Sequence, residues 1–317
     1  MRPSDYDPLT AAWNWLSSLA GILTDPASPF WWPSIAVALL GFAIAAWATG
    51  IGWREARREA LPRDVRRFWR QLPVDLGLMV VNSSLPFMAA PVLFLVSASG
   101  ALLSYVLMVP LVGQPDLGRT LADPAIMVLA ALTAFAFGDF ALYWTHRLFH
   151  RYPLLWRAHR MHHAPEILTP FTAFRFWPQE QIVHFAASAF LNGFGVGLAT
   201  TLAGASVTPL TLLGANAFSL VWNLAFAHLR HSHVALPFPR WLSHVLVSPH
   251  MHQVHHSVEE RHHDRNFATV FALWDWMFGT LYLPHPKERF RFGLEAPATE
   301  AAPAPAAPPS ATAVRGT

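Results

Sequence analysis

The chain has no cysteine and a single lysine, Lys287, and only 13% of its 317 residues are charged. Missing thiols exclude a disulfide framework, thiolate zinc sites, cysteine-ligated iron–sulfur clusters and a cysteine nucleophile, so any metal must be held by nitrogen or oxygen. Soluble domains average about a quarter charged residues, and the shortage here, beside 53% hydrophobic residues, points to a membrane. Also missing are a Gly-x-Ser-x-Gly elbow, a phosphate loop, a dinucleotide fingerprint and a His-Glu-x-x-His pairing of zinc ligands with a general base. The formal charge of +3 rests on arginine. A basic run at Arg54, Arg57, Arg58, Arg63, Arg66, Arg67 and Arg70 directly follows an apolar segment and is interleaved with Glu55, Glu59 and Asp64. It fits a positive-inside signal or a solvated helix face, and gives no reason to expect a nucleic-acid partner.

Apolar runs set the organisation. A helix needs about 20 apolar residues to cross the hydrocarbon core, and residues 33–53 supply them without a charge. Residues 1–32 are then an N-terminal interfacial segment. They carry Asp5 and Asp7 with no basic stretch before an apolar core, so the first span is expected to act as its own targeting signal. Residues 76–112 are uncharged but contain Pro86, Pro91 and Pro110, which suits either one broken span or a hairpin. Residues 124–145 form a further span that starts at Pro124 after Asp123 and is interrupted only by Asp139. Residues 182–202 and 210–227 read as two more. The expectation is an all-α integral membrane protein of about five spanning helices, with an N-terminal transmembrane region at 33–113, a catalytic region at 114–294 and a disordered alanine/proline tail at 295–317. Charges on the connections, chiefly Arg147, Arg151, Arg157 and Arg160, place the histidine-rich segments on the cytoplasmic side if residues 76–112 cross once.

Seventeen histidines stand against that scarcity of charge. Most fall in two groups: His146-Arg-Leu-Phe-His150 with His159-Arg-Met-His162-His163, and His228, His231 and His233 followed by His252-Gln-Val-His255-His256. On a helix, residues i, i+3 and i+4 share a face, so each His-x-x-His-His is a claw for a metal. About nine inward-facing imidazoles exceed one tetrahedral zinc site and suffice for two ions with open positions. Imidazole suits iron, zinc, copper or nickel, so ligand type does not name the metal. A histidine-rich dinuclear centre beside a membrane bundle suits activation of O₂ against an unreactive lipid C–H bond.

Asp139-Phe-Ala-Leu-Tyr143-Trp-Thr-His146-Arg-Leu-Phe-His150, His159-Arg-Met-His162-His163-Ala-Pro-Glu166, His252-Gln-Val-His255-His256-Ser257 and Trp274-Asp275-Trp-Met-Phe278-Gly279-Thr280 resemble the fatty acid hydroxylase / sterol desaturase superfamily of membrane di-iron enzymes. The likeness runs from about residue 138 to 283. It implies a helical membrane bundle, a cytosol-facing histidine-ligated centre of two iron ions (zinc being possible as purified), O₂ as co-substrate, a lipid substrate and a separate electron donor of ferredoxin or cytochrome type. The implied ligands are His146, His150, His159, His162, His163, His231, His252, His255 and His256, with His228 as the alternative to His231. His233 stands where the family usually has asparagine. Trp177 replaces a common histidine, Phe267 and Ala268 follow Asn266 where tyrosine and glycine are usual, and Trp276 replaces a common basic residue.

Among other residues, Asp139 is a costly intramembrane carboxylate two turns from His146 with Tyr143 between them. It is expected to accept a hydrogen bond from a ligand's second ring nitrogen. Glu180, Asn266 and Asp275 are expected to support the ligands similarly. His184, His244, His250 and His285 read as interfacial or packing residues, and His262 and His263 as part of a solvated loop. The same ligands could serve a zinc-dependent lipid hydrolase or a non-enzymatic metal transporter or store. The hydrolase would leave most of the nine imidazoles unused, and a transporter would line its spans with polar groups, of which Asp139 and His184 are nearly all there are.

Overall fold

The computed structural model describes residue 36 and residues 65–294, apart from 213–214 and 233–234. The span expected at 33–53, the segment before it, most of the arginine run and the tail from 295 lie outside the described residues, as do the side chains of His228 and His233. Within them, three helices are long and apolar enough to cross a membrane: Met88–Val112, Pro124–Arg151 and Pro178–Ala203.

The first belongs to α1 (Val65–Val112), one continuous helix of 48 residues that contains Pro73, Pro86, Pro91 and Pro110. At about 1.5 Å per residue it is roughly 72 Å long, more than twice the hydrocarbon thickness. Residues 76–112 therefore make no hairpin. The half before Met88 runs past the apolar slab and braces the parts beneath it. There Gln71 donates to the Ile167 carbonyl (2.7 Å), Asn82 donates to the carbonyls of Phe174 and Phe176 (2.8 and 2.9 Å), and Arg175 pairs with the buried Asp75 (2.8 Å). Along the other half Phe94, Leu95, Leu102, Val106 and Leu111 are exposed, the surface a lipid-facing helix presents.

After β1 (Asp116–Leu121), Asp123 caps α2 (Pro124–Arg151) by accepting the amides of Ala125 and Ile126, with Pro124 in the first turn as expected. The helix continues beyond Thr145 and carries His146 and His150 on its last turns. Pro153 opens α3 (Pro153–His163) at once, so two histidine-bearing helices adjoin across Tyr152. A 3₁₀ turn at Pro170–Phe174 leads to α4 (Pro178–Ala203), which ends at Gly204 in the left-handed region, φ 67°.

Helix α4 lies against α1 and α2. A Cβ on Gly193 would fall 1.9 Å from the Ser97 carbonyl oxygen, and one on Gly100 would fall 1.9 Å from that of Phe190. The α1–α4 contact is thus backbone against backbone, the small-residue packing that lets apolar helices associate in lipid.

The chain then departs from the expected last span. β2 (Ala205–Val207) pairs in parallel with β1, and β3 (Thr211–Leu212) pairs antiparallel with β4 (Ala215–Asn216). Only at Ala217 does α5 (Ala217–Arg230) begin, and its 14 residues, about 21 Å, are too few to cross. Asn216 caps α5 and donates to the carbonyl of Ala131, two turns inside α2, so the strand pair carries the chain partway in and α5 completes the return. Residues 210–227 are apolar because of where they sit, and at the ends of the strand pair the backbone is bonded through Leu210 N to Met127 O (3.0 Å) and Ala217 N to Leu210 O (3.1 Å). Of the five expected spans, the one at 33–53 lies outside the described residues, and the other four become three helices long enough to cross and one short helix, with two small strand pairs beside them. Short elements follow: 3₁₀ turns at Leu242–His244 and Glu260–His262, α6 (Pro249–His255) and α7 (Leu273–Met277). With α3 they form a cap over the ends of α2, α4 and α5.

Candidate metal centre

The cap gathers nine imidazoles into two groups whose ring nitrogens lie within 4.8 Å of one another: His146, His150, His159, His163 and His255 in the first, His162, His231, His252 and His256 in the second. The claws do not each build one site. From α3, His159 and His163 enter the first group while His162 enters the second. From α6, His252 and its neighbour His256 enter the second while His255 crosses to the first. His231, the residue that ends α5, joins the second group with Nε2 3.1 Å from that of His162 and 2.9 Å from that of His252. All the sequence-implied ligands thus come together, eight of the nine are fully buried, and His150 is partly so.

Hydrogen-bond partners set the protonation of the first group. His146 Nδ1 donates to the Phe267 carbonyl (2.7 Å), His255 Nδ1 to the Arg265 carbonyl (3.0 Å) and His159 Nδ1 to Glu180 Oε1 (2.5 Å). The two carbonyls can only accept, so in a neutral ring the proton sits on Nδ1 and Nε2 is left bare. Yet the Nε2 atoms of His146 and His159 face each other at 3.1 Å, His163 Nε2 lies 3.1 Å from that of His159, and the Nε2 atoms of His150 and His255 are buried with no partner among the described residues. Lone pairs converging in a dry interior are unfavourable unless a cation lies among them. The residues therefore fit a metal held by nitrogen.

Charge agrees with this. Burial, and then the repulsion of neighbouring imidazoles, holds His159, His162, His163, His252, His255 and His256 well below the usual imidazole range, and burial with the nearby Arg230 does the same to His231. These rings are neutral at pH 7, the form that binds metal.

The five further candidates divide. Only Glu180, fully buried, touches one of the nine rings, that of His159. Asp139 does not meet a ligand's second nitrogen as expected. Its carboxylate accepts the amides of Val270 (3.1 Å) and Phe271 (2.9 Å) and the indole N–H of Trp274 (2.9 Å), so its charge anchors a loop instead. Asp275 anchors the same loop from the other side, accepting Phe267 N, Ala268 N and the Thr280 hydroxyl (2.9, 3.0 and 2.7 Å). Burial pushes its carboxyl up to about 6, against those hydrogen bonds. Tyr143 contacts the Thr280 hydroxyl (3.1 Å) and accepts from Arg147 (2.9 Å). Asn266, at φ 54°, donates to the carbonyls of Met251 and Tyr282 and accepts from Tyr282 N. Four of the five thus shape residues 265–280, the segment whose Arg265 and Phe267 carbonyls receive the rings of His255 and His146.

Those carbonyls carry no side-chain signal and escape sequence reading. Other contacts were legible only in part. His184, read as packing, is buried with Nδ1 2.8 Å from the Thr145 hydroxyl and Nε2 3.5 Å from Glu180 Oε1, a pairing that the Glu180/His184 spacing of four allows. Phe176 stacks on His162 with centroids 4.1 Å apart. His262 is not in a solvated loop: it is buried, with Nδ1 2.9 Å from Ser257 Oγ, while His263 is exposed. His250 is buried and bonded to the His285 carbonyl. Trp177 stands half exposed at the start of α4.

Comparison with known proteins matches residues 131–280 to the fatty acid hydroxylase family model. Alkylglycerol monooxygenase of Danio rerio is 29% identical over 167 residues, 52% of this chain and 32% of that protein. The ornithine lipid hydroxylase OlsE of Rhizobium tropici is 27% identical over 188 residues, 57% of this chain and 51% of that protein. Very-long-chain aldehyde decarbonylase GL1-1 of Oryza sativa subsp. indica is 31% identical over 169 residues, 50% of this chain and 24% of that protein. The chain thus matches a quarter to a half of the length of these relatives. No solved structure matches.

Proposed function

Because the chain belongs to the fatty acid hydroxylase / sterol desaturase superfamily, we propose that it is a membrane-bound di-iron oxygenase that hydroxylates or desaturates a lipid C–H bond, using O₂ and electrons from a separate donor. The observation that carries this reading is the set of bare, opposed imidazole nitrogens, which need cations, in two groups that suit two ions. Bound iron would supply the reduction of O₂ and the oxidation of the C–H bond.

The chain's own residues do the rest. His146, His150, His159, His163 and His255 would hold one ion, and His162, His231, His252 and His256 the other. Glu180 and the Arg265 and Phe267 carbonyls fix the rotation of three rings and keep their protons off the metal side. The buried cap keeps bulk water from the oxidant. The basic connections Arg147, Arg151, Arg157 and Arg160 support a cytoplasmic orientation.

The relatives are named for ether lipid, ornithine lipid and aldehyde chemistry. A lipid is what they share, and fatty acyl, sterol-like, carotenoid and alkyl ether substrates all remain within the proposal.

Hydroxylation balances as RH + O₂ + 2e⁻ + 2H⁺ → ROH + H₂O, and desaturation as RH₂ + O₂ + 2e⁻ + 2H⁺ → R + 2H₂O, with R the alkene. The test is turnover of membrane lipids by the iron-loaded protein under ¹⁸O₂ with a reductant. A product carrying one ¹⁸O supports hydroxylation, and an unlabelled product lacking two hydrogens supports desaturation. Lipid cleavage that proceeds without O₂ would overturn both in favour of hydrolysis.

A further inference from the structure

Within that reading the two histidine groups differ in what stands behind the ligands. In the first, three rings pass their second N–H to an acceptor: His146 to Phe267 O, His255 to Arg265 O and His159 to Glu180. In the second, the Nε2 atoms run in a chain from His162 to His231 to His252 to His256 at 3.1, 2.9 and 3.1 Å. The Nδ1 atoms of all four rings are buried, and none has a partner among the described residues. His162 is oriented by stacking on Phe176, not by a hydrogen bond.

An acceptor on the second nitrogen fixes the ring and raises the basicity of the ligating nitrogen, and losing one such contact typically lowers metal affinity about 10–100-fold. A buried N–H without an acceptor is itself unfavourable. The first group also offers five imidazoles, the second four. We propose that the two metal positions are unequal: the group of His146, His150, His159, His163 and His255 holds its ion firmly, and the group of His162, His231, His252 and His256 holds an exchangeable one. The inequality rests on the assignment of two ions to these histidines, and it belongs to the protein, since both groups use the same ligand type and differ in the number of rings and in what stands behind them. Both ions complete the centre, so occupancy of the second group then sets how much of the enzyme is competent.

The experiment is a chelation time course on the full-length protein in detergent, loaded with iron and followed by elemental analysis. Two phases are expected, one ion each, with half-times at least about tenfold apart, the size of one such contact. His252→Ala should load one ion, and that ion should leave in the slow phase. Glu180→Ala should bring the slow phase toward the fast one, whereas Glu180→Gln, which keeps an acceptor oxygen, should leave the phases apart. Release of two ions in one phase from the unmutated protein overturns the inequality and leaves the di-iron reading standing. A His252→Ala protein whose single ion is the labile one reverses the assignment and also overturns it. Fewer than two ions after loading would sink the di-iron reading itself.

Discussion

His163 and His256 stack with ring centroids 4.5 Å apart and planes inclined by 27°, although each closes a different His-x-x-His-His claw and each belongs to a different group of nitrogens. The stack is where the groups meet. Because both claws split between both groups, damage to either helix reaches both groups.

That sharing makes the ligand assignment testable from either claw. His162→Ala and His255→Ala, one from each claw, should each lower metal content and reduce turnover below detection, while His285→Ala should do neither. Elemental analysis beside a lipid turnover assay checks this. Two metals and full activity retained in either of the first two variants would remove those histidines from the centre.

Asp139 should act through the loop it holds. Asp139→Ala leaves two amides and an indole N–H without their acceptor, a loss of about 3–9 kcal/mol at roughly 1–3 kcal/mol per unsatisfied group. The expected result is a lower thermal midpoint in detergent together with weakened metal retention, because Phe267 rides on the same loop. An unchanged midpoint would show that the loop is held by other contacts.

Acid should destabilise the metal-free protein. The buried rings of the cap have folded pKa values below the unfolded imidazole value of about 6.5. Below that value the unfolded chain binds protons that the folded one refuses, so stability is full above about pH 7 and falls as pH drops through 6.5 toward the depressed folded values. Thermal unfolding of the chelated protein at pH 8, 7, 6 and 5 should give a plateau and then a decline. A flat profile to pH 5 would mean that the rings are not buried in the neutral form.

Close helix packing gives a fourth expectation. Gly193→Val would place side-chain carbon inside the Ser97 carbonyl and force α1 away from α4, with loss of monodisperse protein on size exclusion in detergent. Gly77→Ala on the same α1 helix meets nothing within 4 Å and should behave as the unmutated protein does. Equal behaviour of the two variants would contradict the backbone contact.

Orientation can be read from the C-terminus. A reporter fused after Gly316 should report the cytoplasm, following the arginine-rich connections. An external signal would mean that the histidine-rich cap faces outward.

Hydropathy found the three helices long and apolar enough to cross because an apolar run is a local property of the sequence. It misread residues 210–227 because a strand pair and a short helix packed among such helices need apolar side chains as much as a spanning helix does. Asp139 was legible as important, since a carboxylate in a span needs a reason. Its partners were not, because they are amides more than 130 residues away.

By itself the sequence determined that a metal here could be held only by nitrogen or oxygen, and that histidines recur at helical claw spacing beside apolar runs. The absence of cysteine and helical periodicity are enough for that, while the choice of nine particular histidines came from the family resemblance. Only the tertiary structure decided how nine rings divide into five and four, and which rings have an acceptor behind them. Those outcomes depend on where distant backbone carbonyls and one glutamate come to rest, and spacing along a helix carries no record of that.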